Sequence, residues 1–355
     1  MTPKTILIPG GAGFVGSNLA ELLKGHFEST RVIAFDNLKR RGSELSLARL
    51  AKVGVEFVHG DIRSRDDFDA LPSFDLLLDC SAEPSVNAGR DGAPDYLLQT
   101  NLVGTLNLLE LARRNEAAFM FLSTSRVYPL TTLNELSYRE AETRLEWTGD
   151  EEIAGMSARG VAENFPLDGP RSFYGSSKLA GELILQEYFH TYSMPAIINR
   201  CGVIAGPWQM GKVDQGVITL WVARHIFGGS LSYTGYGGLG KQVRDVLHVR
   251  DLFALLIRQL GDLDAWNGTP FNVGGGVEIS TSLLELTAHC EEVTQVKLDI
   301  GSNPETSPVD IPIYLTDNSR VRGTFDWKAE IVIEGVVSDI HRWIIDHREM
   351  LAPLF

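Results

Sequence analysis

Short apolar runs alternate with longer stretches of three-to-four periodicity through the first 200 residues of the chain. Thr5–Ile8, Val32–Phe35, Val55–Val58, Leu76–Leu78 and Phe119–Leu122 are apolar at successive positions, the pattern of strands buried on both faces. Each soon gives way to Gly, Asp, Cys or Ser. Between them, Phe14–Lys24, Ser43–Lys52, Arg65–Leu71 and Asp95–Arg114 predict helices. The last is the clearest, with Leu98, Leu102, Leu106 and Leu109 along one face. Strand and helix alternating at this length predict an α/β fold, a doubly wound parallel sheet with right-handed crossovers.

The pattern breaks after Tyr128. From Pro129 to Ser172 the chain is rich in charge and Gly without clean periodicity, which predicts an insertion over the active site. A helix over Tyr174–Tyr192 and a strand over Ala196–Arg200 follow. From Gly202 onward Gly and Pro are frequent, as in a smaller lobe, while Asp251–Gln259 and Phe271–Val273 return to the main sheet. The division expected is therefore 1–200 plus about 245–275 for the sheet domain. A substrate-binding lobe takes about 201–244 plus 276–355.

Composition narrows the class. With 355 residues the chain can bury a large core, and 44% apolar with 22% charged residues is ordinary for a globular protein. A formal net charge of −14 argues against nucleic acid as a partner. Cys80, Cys201 and Cys290 form neither metal-ligand spacing nor a disulfide framework, so no metal is expected and a reducing compartment fits. Met1–Lys4 leads into an apolar run without a cleavable signal pattern, and no stretch approaches the ~20 apolar residues that cross a bilayer. The expectation is a cytoplasmic protein without a membrane partner.

The first strand runs into Gly10-Gly11-Ala12-Gly13-Phe14-Val15-Gly16 and then a helix. Dinucleotide binding needs Gly here for a tight turn, for backbone approach to pyrophosphate and for close packing of helix on strand. The N–H groups of Phe14 and Val15 open the helix, whose positive end favours phosphate. Twenty residues after Gly16, at the end of the second strand, Asp36 is placed to accept from ribose hydroxyls. A carboxylate there disfavours a 2′-phosphate, and Arg40 and Arg41 come late for a phosphate clamp. The cofactor predicted is NAD on a Rossmann-type sheet, with Asn37 beside the ribose site and Asp61 and Ile62 bordering the adenine.

Tyr174-Gly175-Ser176-Ser177-Lys178 sets Tyr and Lys one helical turn apart on one face. An ammonium beside a phenol favours the phenolate, which makes Tyr174 a candidate base. Lys178 can also hold the nicotinamide ribose. Ser123-Thr124-Ser125-Arg126 ends a strand, where open α/β sheets form ligand crevices, so Thr124 can bond the reacting hydroxyl. The bland alternative is that these hydroxyls only terminate the strand.

Together these motifs resemble the extended short-chain dehydrogenase/reductase family, the NAD-dependent epimerases and dehydratases, across nearly the whole chain. The resemblance implies Thr124, Tyr174 and Lys178 as the catalytic set and Asn101, in Asn101-Leu102-Val103-Gly104-Thr105, as the structural asparagine of the central helix. It also implies Ser81 and Ala82 at the cofactor, and a homodimer, possibly paired further into a tetramer, built on the helices Asp95–Arg114 and Tyr174–Tyr192.

Within the family, Phe35–Leu38, Glu56–Arg63, Gly104–Glu110, Asp214-Gln215-Gly216 and Gly240–His248 look most like the branch that epimerises CDP-linked sugars at C2. This implies a nucleotide-sugar substrate, CDP-linked by preference, held by Glu83, Ser125, Arg126, Arg200, Gln215 and Arg244. Arg244 would meet the diphosphate, the alternative being a buried ion pair with Asp245. Family dehydratases carry Asp-Glu directly after the catalytic Thr; Ser125-Arg126 stands here, which weighs against elimination. Pro9, Cys80, Pro129, Val203 and Ala205 depart from the usual pattern, and the insertion with Trp147 is expected to remodel the sugar pocket. C4 epimerisation or oxidation of a UDP- or GDP-sugar, and a catalytically silent nucleotide-binding regulator, are the alternative readings.

Overall fold

The computed structural model describes residues 2–90, 92–149, 152–211 and 216–355. A seven-stranded sheet runs in the order Asn267–Val273, Ala196–Cys201, Ala118–Thr124, Leu76–Asp79, Thr5–Pro9, Arg31–Asp36, Glu56–His59. Every pairing in it is parallel. Alternate residues supply opposite layers, as the two-residue period of a strand requires. Ile6, Ile8, Val32, Ala34, Leu76 and Leu78 face one core, and Leu7, Ile33, Phe35 and Leu77 face the other. Burial on both faces is why these strands read as unbroken apolar runs.

Two predicted helices come out differently. Over Arg65–Leu71 only the short 3-10 turn Asp66–Phe68 forms, and Phe68 alone of that turn is buried. The central helix is interrupted. Asp95–Leu98 and Thr105–Arg114 are α-helical, while Gln99–Gly104 between them is a π-helical turn. The helix Phe173–Tyr192 is started by Ser172, whose hydroxyl accepts from the Gly175 N–H at 3.2 Å.

A smaller sheet is organised around Val243–His248. It pairs in parallel with Val203–Ala205 and Ile313–Tyr314 and antiparallel with Ser280–Ser282. Its core holds Trp221, Leu286, Val336, Ile340 and Trp343. Among the described residues no helix is long and apolar enough to cross a membrane.

The described residues of the Pro129–Ser172 segment form regular elements despite the lack of periodicity. They form the helix Leu130–Glu135 and two hairpins, Tyr138–Glu140 with Leu145–Trp147 and Met156–Ser157 with Gly160–Val161. The Leu145 N–H donates to Lys241 at 2.8 Å, Lys241 Nζ donates to Glu140 at 2.8 Å, and Arg144 pairs with Glu285. The insertion therefore clamps the segment that leads into Arg244. No described residue of it lines the central cavity, Trp147 included.

Candidate active site

A cavity of about 790 Å³ opens along the carboxyl ends of the main strands, between the sheet and the smaller lobe. This is where open α/β sheets bind ligands, and the size is that of a small-molecule site. Its wall includes Phe14 and Val15 at one end, Thr124, Tyr174 and Lys178 in the middle, and Arg126, Arg244 and Asp310 beyond.

The glycine loop is built for close approach. Gly10 has φ +72°, and a Cβ on it would lie 2.6 Å from the Cys80 carbonyl oxygen. A Cβ on Gly16 would lie 2.1 Å from the Gly10 oxygen, so the helix could not rest on the turn. Gly13 caps the helix without a side-chain hydrogen bond, which leaves the first N–H groups to a ligand. Asp36 accepts from the Leu38 N–H at 2.8 Å and the Ala12 N–H at 3.2 Å, and burial raises its carboxyl above the usual range. Asn37 donates to Asp61 at 2.9 Å, and Arg63 beside it holds the Asp61 carboxyl down at about 2. Ile62 packs its side chain inward and offers its carbonyl to Asn107 at 2.9 Å. These residues suit a dinucleotide: neither Gly10 nor Gly16 has room for a side chain, and the acid lies beside the turn.

The helix Phe173–Tyr192 lays Tyr174, Lys178 and Glu182 along one face at successive turns. The Tyr174 phenol and the Thr124 hydroxyl line the same stretch of the cavity wall. Burial pushes that phenol up to about 12, and the Thr124 contact opposes the rise. Lys178 is 2% exposed, with its ammonium 4.4 Å from the centre of the Phe121 ring and donating to the Ser81 carbonyl at 3.4 Å. Burial lowers its pKa, and Asp79 acts against that. Asn101, in the π-helical turn, grips the Glu83 backbone from both sides at 2.7 and 3.0 Å and donates to Ser177 at 3.3 Å. Ser81 and Ala82 line the cavity; Glu83 does not, its carboxylate accepting from the Ser85 N–H at 3.3 Å.

At the far end Arg126 and Arg244 face the same space with one carboxylate, Asp310, between them. Arg244 pairs with Asp310 at 2.6 Å and also donates to the Ile311 carbonyl at 2.6 Å. The ion pair with Asp245 that was an alternative for Arg244 does not form. Burial and the Arg244 charge pull Arg126 down to about 10. Ser125 lines the same wall.

Arg200 does not reach the cavity. Its guanidinium is 4% exposed and sealed against Glu182 at 2.7 Å, with the Tyr128 hydroxyl at 3.2 Å. Strand alternation sends Cys201 to the cavity and Arg200 to the helix side. Gln215 and Asp214 lie outside the described residues. Asp79, Glu182 and Asp310 were missed by sequence reasoning. Only Glu182 left a signal, as the third member of the spacing that begins with Tyr174 and Lys178.

The family model of the NAD dependent epimerase/dehydratase family matches residues 6–274. The chain belongs to that family. NAD is accordingly the cofactor of this epimerase/dehydratase homologue, in agreement with Asp36 and the glycine cradle. It is 30% identical to the CDP-paratose 2-epimerase of Salmonella typhi, covering 95% of this chain and 98% of that one. It is 27% identical to a dTDP-glucose 4,6-dehydratase of Streptomyces niveus, over 98% and 95% of the two chains. Among solved structures, the dTDP-glucose 4,6-dehydratase of Bacillus anthracis in complex with NAD aligns with a TM-score of 0.77. That pair is 25% identical, with 99% of each chain covered.

Proposed function

We propose that this family member epimerises a nucleotide sugar at C2, with a CDP-linked hexose or deoxyhexose as substrate, through a transient ketone. The observation that carries the reading is the chemistry of the cavity wall. Thr124, Tyr174 and Lys178 stand together, Arg126 and Arg244 stand beyond them, and Asp310 is the only carboxylate among the described lining residues. Two arginines suit a diphosphate. Elimination of water needs an acid and a base beside the leaving group, and the position after Thr124 offers Ser125 and Arg126 instead. The likeness to a CDP-paratose 2-epimerase supports the same choice.

In this reading the glycine loop, Asp36, Ser81 and Lys178 hold NAD, which supplies a hydride acceptor able to return what it takes. Tyr174 removes the proton of the C2 hydroxyl while Thr124 orients that hydroxyl. Lys178 stabilises the phenolate that accepts it. Arg126 and Arg244 hold the diphosphate while the keto sugar turns, and Tyr174 then returns the proton to the hydroxyl of opposite configuration. The cycle has no net redox change, so it requires no exchange of cofactor between turnovers.

We further propose a homodimer formed through the helices at 95–114 and 173–192; the exposure of Leu183 and Tyr192 on the second supports it.

The test is NMR of the purified protein, without added cofactor, with CDP-, UDP-, GDP- and dTDP-hexoses including CDP-paratose. A new C2 epimer of a CDP-sugar is the expected product. A C4 epimer or a 4-keto-6-deoxy product from another nucleotide sugar would overturn the C2 reading.

A further inference from the structure

Beneath Lys178 lies a carboxylate that the proposed cycle does not use. Asp79 ends the strand Leu76–Asp79 and is 0% exposed. Its Oδ1 accepts from the Ser81 N–H at 3.0 Å and the Ser81 hydroxyl at 2.5 Å. Its Oδ2 is buried without a hydrogen-bond partner. Asp79 pairs in register with Phe121 on the neighbouring strand, and the Lys178 ammonium sits over that same Phe121 ring. Ser81 completes the link: its side chain and N–H hold Asp79, while its carbonyl receives Lys178.

A dry ammonium needs more than a ring face and one long hydrogen bond to stay charged, because burial disfavours the charged form. The other titratable groups facing Lys178 are Cys80, Cys201 and Glu182, with Tyr174 one turn away on its own helix. Glu182 is already committed to Arg200 and Ser123. The two thiols are neutral, since burial pushes both up from their ordinary value. Asp79 is left as the available carboxylate: burial raises its pKa, Lys178 and the two Ser81 hydrogen bonds act against that rise, and its unpartnered oxygen is the atom that lacks a cation.

We infer that Asp79 is the counter-ion of Lys178, a positioning residue that keeps the ammonium charged and aimed between the cofactor ribose and Tyr174. The inference rests on the proposed roles of Tyr174 and Lys178 but not on which sugar reacts. A neutral group at position 79 would let Lys178 shed its proton more readily, since Asp79 acts against the effect of burial. Tyr174 would then lose the cation that favours its phenolate.

The test is competitive labelling of Lys178 with acetic anhydride across pH, read by mass spectrometry on the NAD-loaded protein. In the wild type Lys178 is expected to label as a protonated amine at neutral pH, and in Asp79→Asn its labelling curve is expected to move to lower pH. Turnover of Asp79→Asn at pH 7 is expected to fall by roughly 10- to 100-fold and to recover on the alkaline side less than in the wild type. An unchanged Lys178 titration in folded, NAD-bound Asp79→Asn would overturn the inference. So would a wild-type Lys178 that labels as a neutral amine in neutral buffer, a measurement that stands even where the variant does not fold. A shifted titration in a protein that turns over no nucleotide sugar would uphold the counter-ion and remove the proposed function.

Discussion

Arg244 donates to Asp310 at 2.6 Å within the cavity, so the cation best placed for a diphosphate is engaged by a carboxylate of its own chain. A diphosphate must compete with that carboxylate. Arg244→Ala is expected to weaken CDP binding by roughly 10- to 100-fold, the worth of a charge-assisted hydrogen bond. Asp310→Asn is expected to tighten it by a few-fold at low salt. Isothermal titration with CDP checks both signs, and weaker binding by Asp310→Asn would mean that Asp310 aims Arg244 rather than competing for it.

Tyr174 carries the proton step in the proposed cycle. Tyr174→Phe is expected to lower turnover by about 10²- to 10⁴-fold while bound NAD and Tm stay unchanged. Since burial holds the phenol up at about 12, kcat/KM should rise with pH between 6 and 9 in the wild type. Lys178→Met should move that rise to higher pH. A flat profile in the wild type would remove Tyr174 as the titrating base.

Arg200 and Glu182 form a buried pair whose loss strands a charge. Arg200→Ala is expected to destabilise the fold by about 3 to 5 kcal/mol, read by urea denaturation. The surviving folded fraction should keep its KM for substrate, because the guanidinium never meets the cavity. A raised KM with unchanged stability would restore the substrate role expected from the sequence.

Asp245 is buried, accepts from the Gly276 N–H at 3.1 Å, and has its carboxyl pushed up to about 6 by desolvation. Its folded pKa exceeds that of the unfolded chain, near 3.9. The associated stability is therefore complete below pH ~4 and lost as pH rises through about 6. Asp245→Asn, which keeps an acceptor, should remove this loss and gain on the order of 1 to 3 kcal/mol at pH 8. Little gain is expected at pH 4. Melting curves at the two pH values give the comparison.

Local features were legible in the sequence because their physics is local. Gly10, Gly13 and Gly16 are needed by one turn, Asp36 ends the next strand, and Tyr174 and Lys178 share one helical face. Partnerships across the fold were not legible. Arg244 and Asp310 are far apart in sequence, and only the pairing of the strand Val243–His248 with Ile313–Tyr314 brings their segments together. Arg200 was misread because composition does not say which face of a buried strand a residue takes. The 65–71 helix failed because Asp66, Asp67 and Asp69 leave too little apolar surface to hold more than one turn.

The wide turn at Gln99–Gly104 lets one helix answer to two masters. An ordinary α-helix advances about 100° per residue, so one extra residue in a turn rotates everything after it by about that angle. Asn101 can thus look toward the Glu83 loop and the helix 173–192, while Leu108 and Leu109 still meet the sheet core. Shortening the turn by one residue would force a choice between phases: either the leucine stripe leaves the core, or the loop after Asp79 loses its anchor and the cofactor wall its shape.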